Sequence, residues 1–189
     1  MRDGTQTRKR LERCALTLFV EKGVAATTIK DIAGKAEIAE GTLYRHYQSK
    51  DELAEQLFIH SYKEIADNIK SIALAAPSLD LKIKNMVRYF CEKYDEDPIL
   101  FSYLLLVQHN QIKLLDEKAI GAHEFLIPIF IEAIRKKEIS KADPYFYSAI
   151  LLGIVLQAAI SRVYERITRT MTADADELSK VILAALKAK

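Results

Sequence analysis

Apolar residues recur at helical spacing along almost the whole of this chain, interrupted only by isolated glycines, prolines and short polar turns. Leu11, Ala15, Leu18 and Phe19, for example, fall at i, i+4, i+7 and i+8 and share one helix face. No stretch reads convincingly as a strand. With 6 glycines and 4 prolines in 189 residues, and half of the residues hydrophobic, the chain can form long helices and bury a core. Disorder and collagen-like folds are thereby excluded. The expected fold class is all-α, and the length allows one substantial core or two small ones.

Punctuation residues divide the pattern into nine expected helices. The first covers about residues 5–22, with Gly23 placed to end it. Thr28 can cap a short second helix whose apolar face is Ile29, Ile32, Ala33 and Ala36, with Asp31 at its positive end. A very short third helix is expected over residues 40–47. Ser49-Lys50-Asp51-Glu52 then forms an S-x-x-E capping box that opens a fourth near Lys50. Its apolar positions run on to about Ala76, roughly 27 residues and about 40 Å. Such a helix is suited to join two domains, 1–49 and 50–189.

Pro77 ends the fourth helix, and residues 79–94 and 98–110 read as the next two, the latter opened by Asp97-Pro98. A longer segment, 114–137, contains Gly121 and Pro128, and the proline should kink or divide it. Asp143-Pro144 opens an eighth helix reaching about residue 167, and the acid-rich stretch 172–177 opens a ninth ending near residue 186. The longest apolar run, residues 149–156, falls short of the roughly 20 that span a bilayer, so a cytoplasmic chain without a membrane segment is expected. Cys14 and Cys91 stand far apart and form no C-x-x-C pair, so neither a zinc site nor a disulfide framework is indicated, and no cofactor is implied.

Charge is unevenly placed. Residues 1–50 hold 10 Lys and Arg against 6 Asp and Glu, whereas residues 51–189 hold 18 against 20. A surplus of that size fits a solvated face as readily as a nucleic-acid partner. More specific is the segment 27–53, TTIKDIAGKAEIAEGTLYRHYQSKDEL, in which two short amphipathic helices joined by about three residues make a helix-turn-helix.

The residue types in this segment resemble the DNA-binding signature of TetR-family transcriptional regulators, a threonine-capped helix followed by G-T-L-Y-x-H-[FY]-x-S-K-x-x-L. Gly41, Thr42, Leu43, Tyr44, His46, Tyr47, Ser49, Lys50 and Leu53 carry the resemblance, which covers about residues 8–60. It implies a homodimeric, ligand-responsive regulator, a repressor, bound to a palindromic duplex DNA operator. Gly41 and Thr42 are then candidate groove contacts, one without a side chain and the other with a hydroxyl and a methyl. Tyr44, His46 and Lys50 match positions that the family uses for phosphate contacts. Thr28 could cap its helix or donate to a phosphate, and Lys30 and Arg45 are candidate groove or phosphate cations. Glu40 could accept from cytosine or simply favour its helix dipole.

Leu43 and Tyr47 lie four apart and should face the small core beside Leu18, Phe19 and Ile32. Two positions depart from the family pattern. Glu37 stands where the turn commonly has glycine, and a left-handed backbone there would cost about 1 kcal/mol. Ala39 replaces the usual hydroxyl cap of the recognition helix.

Residues 77–189 have no comparable motif. Aromatic residues Phe90, Phe101, Tyr103, Phe125 and Tyr147, with Gln108, His109 or His123 as polar anchors, could line an apolar effector site of the kind the resemblance implies. Gly153, Gln157 and Ser161 form a small or polar stripe at i, i+4 and i+8 on the eighth helix, a candidate dimer seam, since the family commonly dimerises through its last two long helices. The alternative is a helical-bundle carrier or enzyme acting on an apolar small molecule, with a degenerate DNA-binding motif. No histidine has Glu three positions before it, and no G-x-S-x-G or Walker sequence appears, so no enzyme chemistry is expected.

Overall fold

The computed structural model of the chain describes the backbone of residues 4–117 and 121–188, and the side chains of these except 108–117 and 123. Among the described residues there are nine helices and no strand: α1 (Gly4–Lys22), α2 (Ile29–Lys35), α3 (Glu40–Tyr44), α4 (Lys50–Ala75), α5 (Leu79–Glu96), α6 (Pro98–Glu117), α7 (His123–Arg135), α8 (Pro144–Val163) and α9 (Met171–Lys187). They form two compact units. The first holds α1, α2, α3, α4 through Tyr62, and Ile99–Leu106 of α6; the second holds Lys63–Pro98 and Val107–Lys189.

In the first unit, Leu11, Ala15, Leu18 and Phe19 of α1 are buried with Ile32, Ala33 and Ala36, with Leu43 and Tyr47, and with Leu53, Ala54 and Phe58 of α4. Each large side chain removed from water contributes about 1.5–3 kcal/mol, so this small core suffices to hold helices too short to persist alone. Tyr103 belongs here as well. Its ring stacks on Phe19, with centroids 5.9 Å apart, and its hydroxyl donates to the Ala54 carbonyl oxygen at 2.7 Å. These contacts explain why the unit boundary falls inside α4 and recruits part of α6, instead of lying at residue 49 as the capping box suggested.

In the second unit, α5 packs on α9, α9 on α8, and α8 on α7. Ile83, Met86, Val87 and Cys91 of α5 are buried, as are Leu151, Val155 and Ala159 of α8 and Met171, Ala175, Ile182 and Leu186 of α9. Polar side chains fix the α8–α9 connection. Arg162 donates through Nε to the Arg169 carbonyl at 2.8 Å, through its terminal nitrogens to the carbonyls of Ala158 (2.9 Å) and Thr170 (3.1 Å), and to the Asp174 carboxylate. Arg169 pairs with the same carboxylate, so the buried guanidinium and carboxylate are both satisfied.

Several helix boundaries differ from the sequence expectation. α6 runs to Glu117 instead of residue 110, and α7 starts at His123 instead of 114, its N-cap Ala122 making no side-chain hydrogen bond. Pro128 lies inside α7. α8 stops at Val163, four residues early, because Glu165 turns left-handed (φ 55°) and Arg162 folds back over the connection. By length and composition α8 is also the one described helix able to cross a membrane, although only a third of that stretch is buried.

Asp95 of α5 secures the start of α9 by accepting from the backbone amides of Met171 (2.9 Å) and Thr172 (2.8 Å) and from the Thr172 hydroxyl (2.6 Å). Partial burial pushes its carboxyl up, but these hydrogen bonds outweigh it and hold the group below the usual carboxylate range. A depressed folded pKa gives stability that is complete above the unfolded value near 3.9 and is lost as pH falls through the folded value. D95N should therefore destabilise the protein by about 1 kcal/mol at neutral pH in denaturant titration. The gap from wild type should close as the pH is lowered below about 4.

Candidate nucleic-acid interface

The motif is assembled from its ends inward. Gly23 ends α1 with φ 81°, its amide donating to the Phe19 carbonyl at 3.0 Å. Buried Thr27, which no sequence motif marks, donates its hydroxyl to the Gly23 carbonyl at 2.8 Å and so closes the loop before α2. Thr28 and Asp31 form a reciprocal capping box. The Asp31 amide donates to Thr28 Oγ1 at 3.1 Å and the Thr28 amide donates to Asp31 Oδ2 at 3.0 Å. The bonds from Thr28 hold the Asp31 carboxyl below its ordinary range. The Thr28 hydroxyl accepts in this box, and its own proton is not used there.

α2 ends in a left-handed turn at Glu37, φ 51°. The Glu37 amide reaches the Gly34 carbonyl at 3.1 Å and the Ile38 amide reaches the Ala33 carbonyl at 3.0 Å, the pattern of a Schellman stop. α3 follows, only five residues long, with no side-chain hydrogen bond from its N-cap Ala39. It is shorter than the expected 40–47 because the backbone tightens after Tyr44, with the His46 and Tyr47 amides both donating to the Leu43 carbonyl. Leu43 and Tyr47 are buried, as their spacing implied.

With those two side chains inward, the rest of the segment faces out. Glu40, Gly41, Tyr44 and Arg45 are exposed, Tyr44 by 54%, while Thr42 and His46 are half-buried. A Cβ added at Gly41 would meet nothing within 4 Å, so internal packing does not demand glycine there. Thr28 and Lys30 are exposed at the start of α2. Of the expected box, Ser49 Oγ accepts from the Glu52 amide at 3.1 Å, but Glu52 Oε2 accepts from the Gln48 amide at 2.6 Å and not from that of Ser49. Half-buried Lys50 donates its ammonium to the Ala25 carbonyl at 3.1 Å, which ties the start of α4 to the α1–α2 loop.

The network around Tyr47 was not legible in the motif. Its hydroxyl donates to Glu12 Oε1 at 2.5 Å, while Arg8 Nε donates to that oxygen at 2.8 Å and to the Tyr47 hydroxyl at 3.1 Å. Glu12 and Arg8 sit one helical turn apart on α1, and that spacing was the available signal.

The candidate effector residues divide between the units. Phe101 and Tyr103 are buried in the first, and Phe90, Phe125 and Tyr147 lie in the second, where Tyr147 is buried with its hydroxyl on the Ser140 carbonyl at 2.8 Å. The side chains of Gln108, His109 and His123 lie outside the described residues. Gly153 and Gln157 are exposed on α8 and Ser161 is half-buried.

Glu37 makes the turn testable. A left-handed conformation costs a non-glycine residue about 1 kcal/mol, offset in part by the greater unfolded-state freedom of glycine. E37G should leave the melting temperature unchanged or raise it. E37V, with a β-branched side chain in the same conformation, should lower it clearly.

Residues 13–57 match the family described as bacterial regulatory proteins, tetR family. The transcriptional repressor KstR2 of Mycolicibacterium smegmatis is 42% identical over 50 residues, 26% of this chain and 24% of that protein. The chain thus aligns with only about a quarter of that relative's length. A transcriptional regulator of Staphylococcus aureus is 25% identical over 177 residues, 87% of this chain and 83% of its own. Among solved structures, the fatty acid degradation regulator FadR of Bacillus halodurans superposes with a TM-score of 0.84 at 19% identity, over 97% of both chains. FadR of Bacillus subtilis, solved in complex with stearoyl-CoA, gives 0.79 at 16% identity over 94% of this chain and 98% of its own. The helix-turn-helix segment thus matches the family described as bacterial regulatory proteins, tetR family, and the chain shares its fold over nearly its whole length with a solved structure described as a TetR-family transcription regulator, at 21% identity and a TM-score of 0.77.

Proposed function

We propose that the protein is a homodimeric cytoplasmic repressor that binds a palindromic duplex operator and releases it when a small amphipathic effector occupies the second unit. The observation that carries this reading is the outward face of residues 40–46, held over buried Leu43 and Tyr47. Gly41 and Thr42 read the groove, Tyr44, His46, Thr28 and Lys50 contact phosphates, and Lys30, Arg45 and Glu40 act at its margins. An exposed helical glycine costs about 1 kcal/mol, and Gly41 fills no internal need. Close approach of an external surface supplies the reason for it.

Dimerisation through α8 is supported by the outward side of that helix. Phe146 (59% exposed), Ala149, Gly153, Gln157 and Tyr164 (56% exposed) follow one another at helical spacing, and Val181 of α9 is 47% exposed. Gly153, like Gly41, has nothing within 4 Å of an added Cβ. An apolar helix face of this length left bare in a water-soluble regulator suits a second copy of itself. For the effector, the stearoyl-CoA bound by the Bacillus subtilis relative supports a long-chain acyl thioester, with Phe90, Phe125 and Tyr147 as candidate contacts. Such a ligand weakens DNA binding only by preferring the protein state whose recognition helices do not fit the operator.

Selection from random duplex DNA tests the reading. The enriched sequences should show dyad symmetry with half-sites about 34–36 Å apart, or another groove-matched spacing. Enrichment of no sequence, with little salt-dependent binding, would favour the carrier alternative. K50A should weaken binding to all sequences and lower the salt slope by about 0.9, the value of one phosphate contact. T42V should instead change preference at one base position and leave the slope alone. G153R should give about half the mass in sedimentation, with helical circular dichroism retained and operator affinity lost.

A further inference from the structure

α3 is too short to fix its own orientation. Five residues close one turn, its N-cap Ala39 contributes no side-chain hydrogen bond, and burial of Leu43 anchors a single point on it. Rotation about that point is limited by Tyr47, one turn further on, whose amide donates to the Leu43 carbonyl at 3.0 Å. The Tyr47 ring fills core volume that phenylalanine would fill equally well. The hydroxyl adds something else, because it donates to Glu12 at 2.5 Å while accepting from Arg8 at 3.1 Å. Arg8 closes the triangle by pairing with Glu12 at 2.8 Å, and its guanidinium lies over the Tyr47 ring, 5.5 Å from the centroid. The direction of the O–H bond is thus set from α1. Burial first, and then the Glu12 carboxylate, push the hydroxyl up to about 12, so it remains a donor throughout the neutral range.

We infer that Glu12 and Arg8, which lie outside the matched segment 13–57, are positioning residues for the recognition helix: by clamping the Tyr47 hydroxyl they set the rotation of α3 and thereby the protein's sequence discrimination. This rests on the reading of α3 as the element that enters the DNA groove. Phosphate contacts tolerate small rotations better, because their ionic part is long-range and each phosphate offers several acceptor oxygens, whereas a base edge offers its acceptors and donors in one fixed pattern. Loosening the clamp therefore lowers affinity for the preferred sequence and spares affinity for any other.

The test uses the full chain and two duplexes, one selected from random DNA by the wild type and one of the same composition scrambled. Y47F should bind the selected duplex about five- to ten-fold more weakly, with unchanged affinity and salt slope on the scrambled one. E12A should do the same, and the Y47F/E12A pair should be no worse than either single change. E12Q should recover most of the loss, because its amide oxygen still accepts from the hydroxyl. Y47F keeps the ring and the core volume, so it carries the test even if E12A lowers the folded fraction seen by circular dichroism. Wild-type discrimination in Y47F, equal loss on both duplexes, or additive losses in the double variant would each overturn the inference. A wild type that does not discriminate between the duplexes would instead overturn the reading of α3, and the inference with it.

Discussion

A helix of five residues makes too few internal hydrogen bonds to exist on its own, so α3 is where it is because Leu43 and Tyr47 are buried. Everything else in the first unit serves that burial. α1 supplies the apolar floor, the Thr27 hydroxyl and the Lys50 ammonium tie down the loop before α2, and the Ser49 cap starts α4 directly after the tyrosine. The outward residues 40, 41, 44 and 45 need no interactions of their own to be presented. Presentation is a by-product of the core, which leaves those positions free to be chosen by a partner.

The second unit solves a different problem. Its helices are long enough to persist, and the need is to hold α9 against α5 and α8 while much of α8 remains uncovered. Buried Arg162 and Asp174 do this with directional bonds. A buried ion pair adds little net stability over an apolar pair, but loss of Asp174 would leave the Arg162 charge buried and unpaired, at about 3–5 kcal/mol, whereas Asp174 keeps Arg169 if Arg162 is lost. Together with Asp95 at the first turn of α9, the pair specifies one arrangement of the α8–α9 connection.

Helix starts with a capping side chain are legible in the sequence, as are ends marked by glycine or proline, such as those of α1 and α4. Thr28, Ser49, Ser78, Asp143 and Thr170 each bond a backbone amide in the first turn of their helices, and the expected starts beside them fall within a residue or so of those found. α7 starts at His123, its N-cap Ala122 making no such bond, nine residues beyond the start expected at 114. α1 stops at glycine, where the sequence puts its end, whereas α8 stops before left-handed Glu165, a residue type that marks no end. In the candidate interface the motif residues were legible because they are contiguous. In the Arg8–Glu12–Tyr47 network the i, i+4 spacing marks the Arg8–Glu12 pair, but no local pattern marks its link to Tyr47, 39 residues from Arg8.

The three left-handed residues Glu37, Lys137 and Glu165 share one geometry. In each case the following amide, of Ile38, Glu138 or Arg166, reaches back to a carbonyl five residues earlier, Ala33, Ala133 or Ser161. Glycine would favour this stop in the isolated chain, but Glu and Lys do not. The last turns of α2, α7 and α8 are therefore not marked by residue type, whereas the first turns at Thr28 and Asp143 are marked by their capping side chains. Glycine at position 37, 137 or 165 would write into the local sequence a stop that at present only the packed fold supplies.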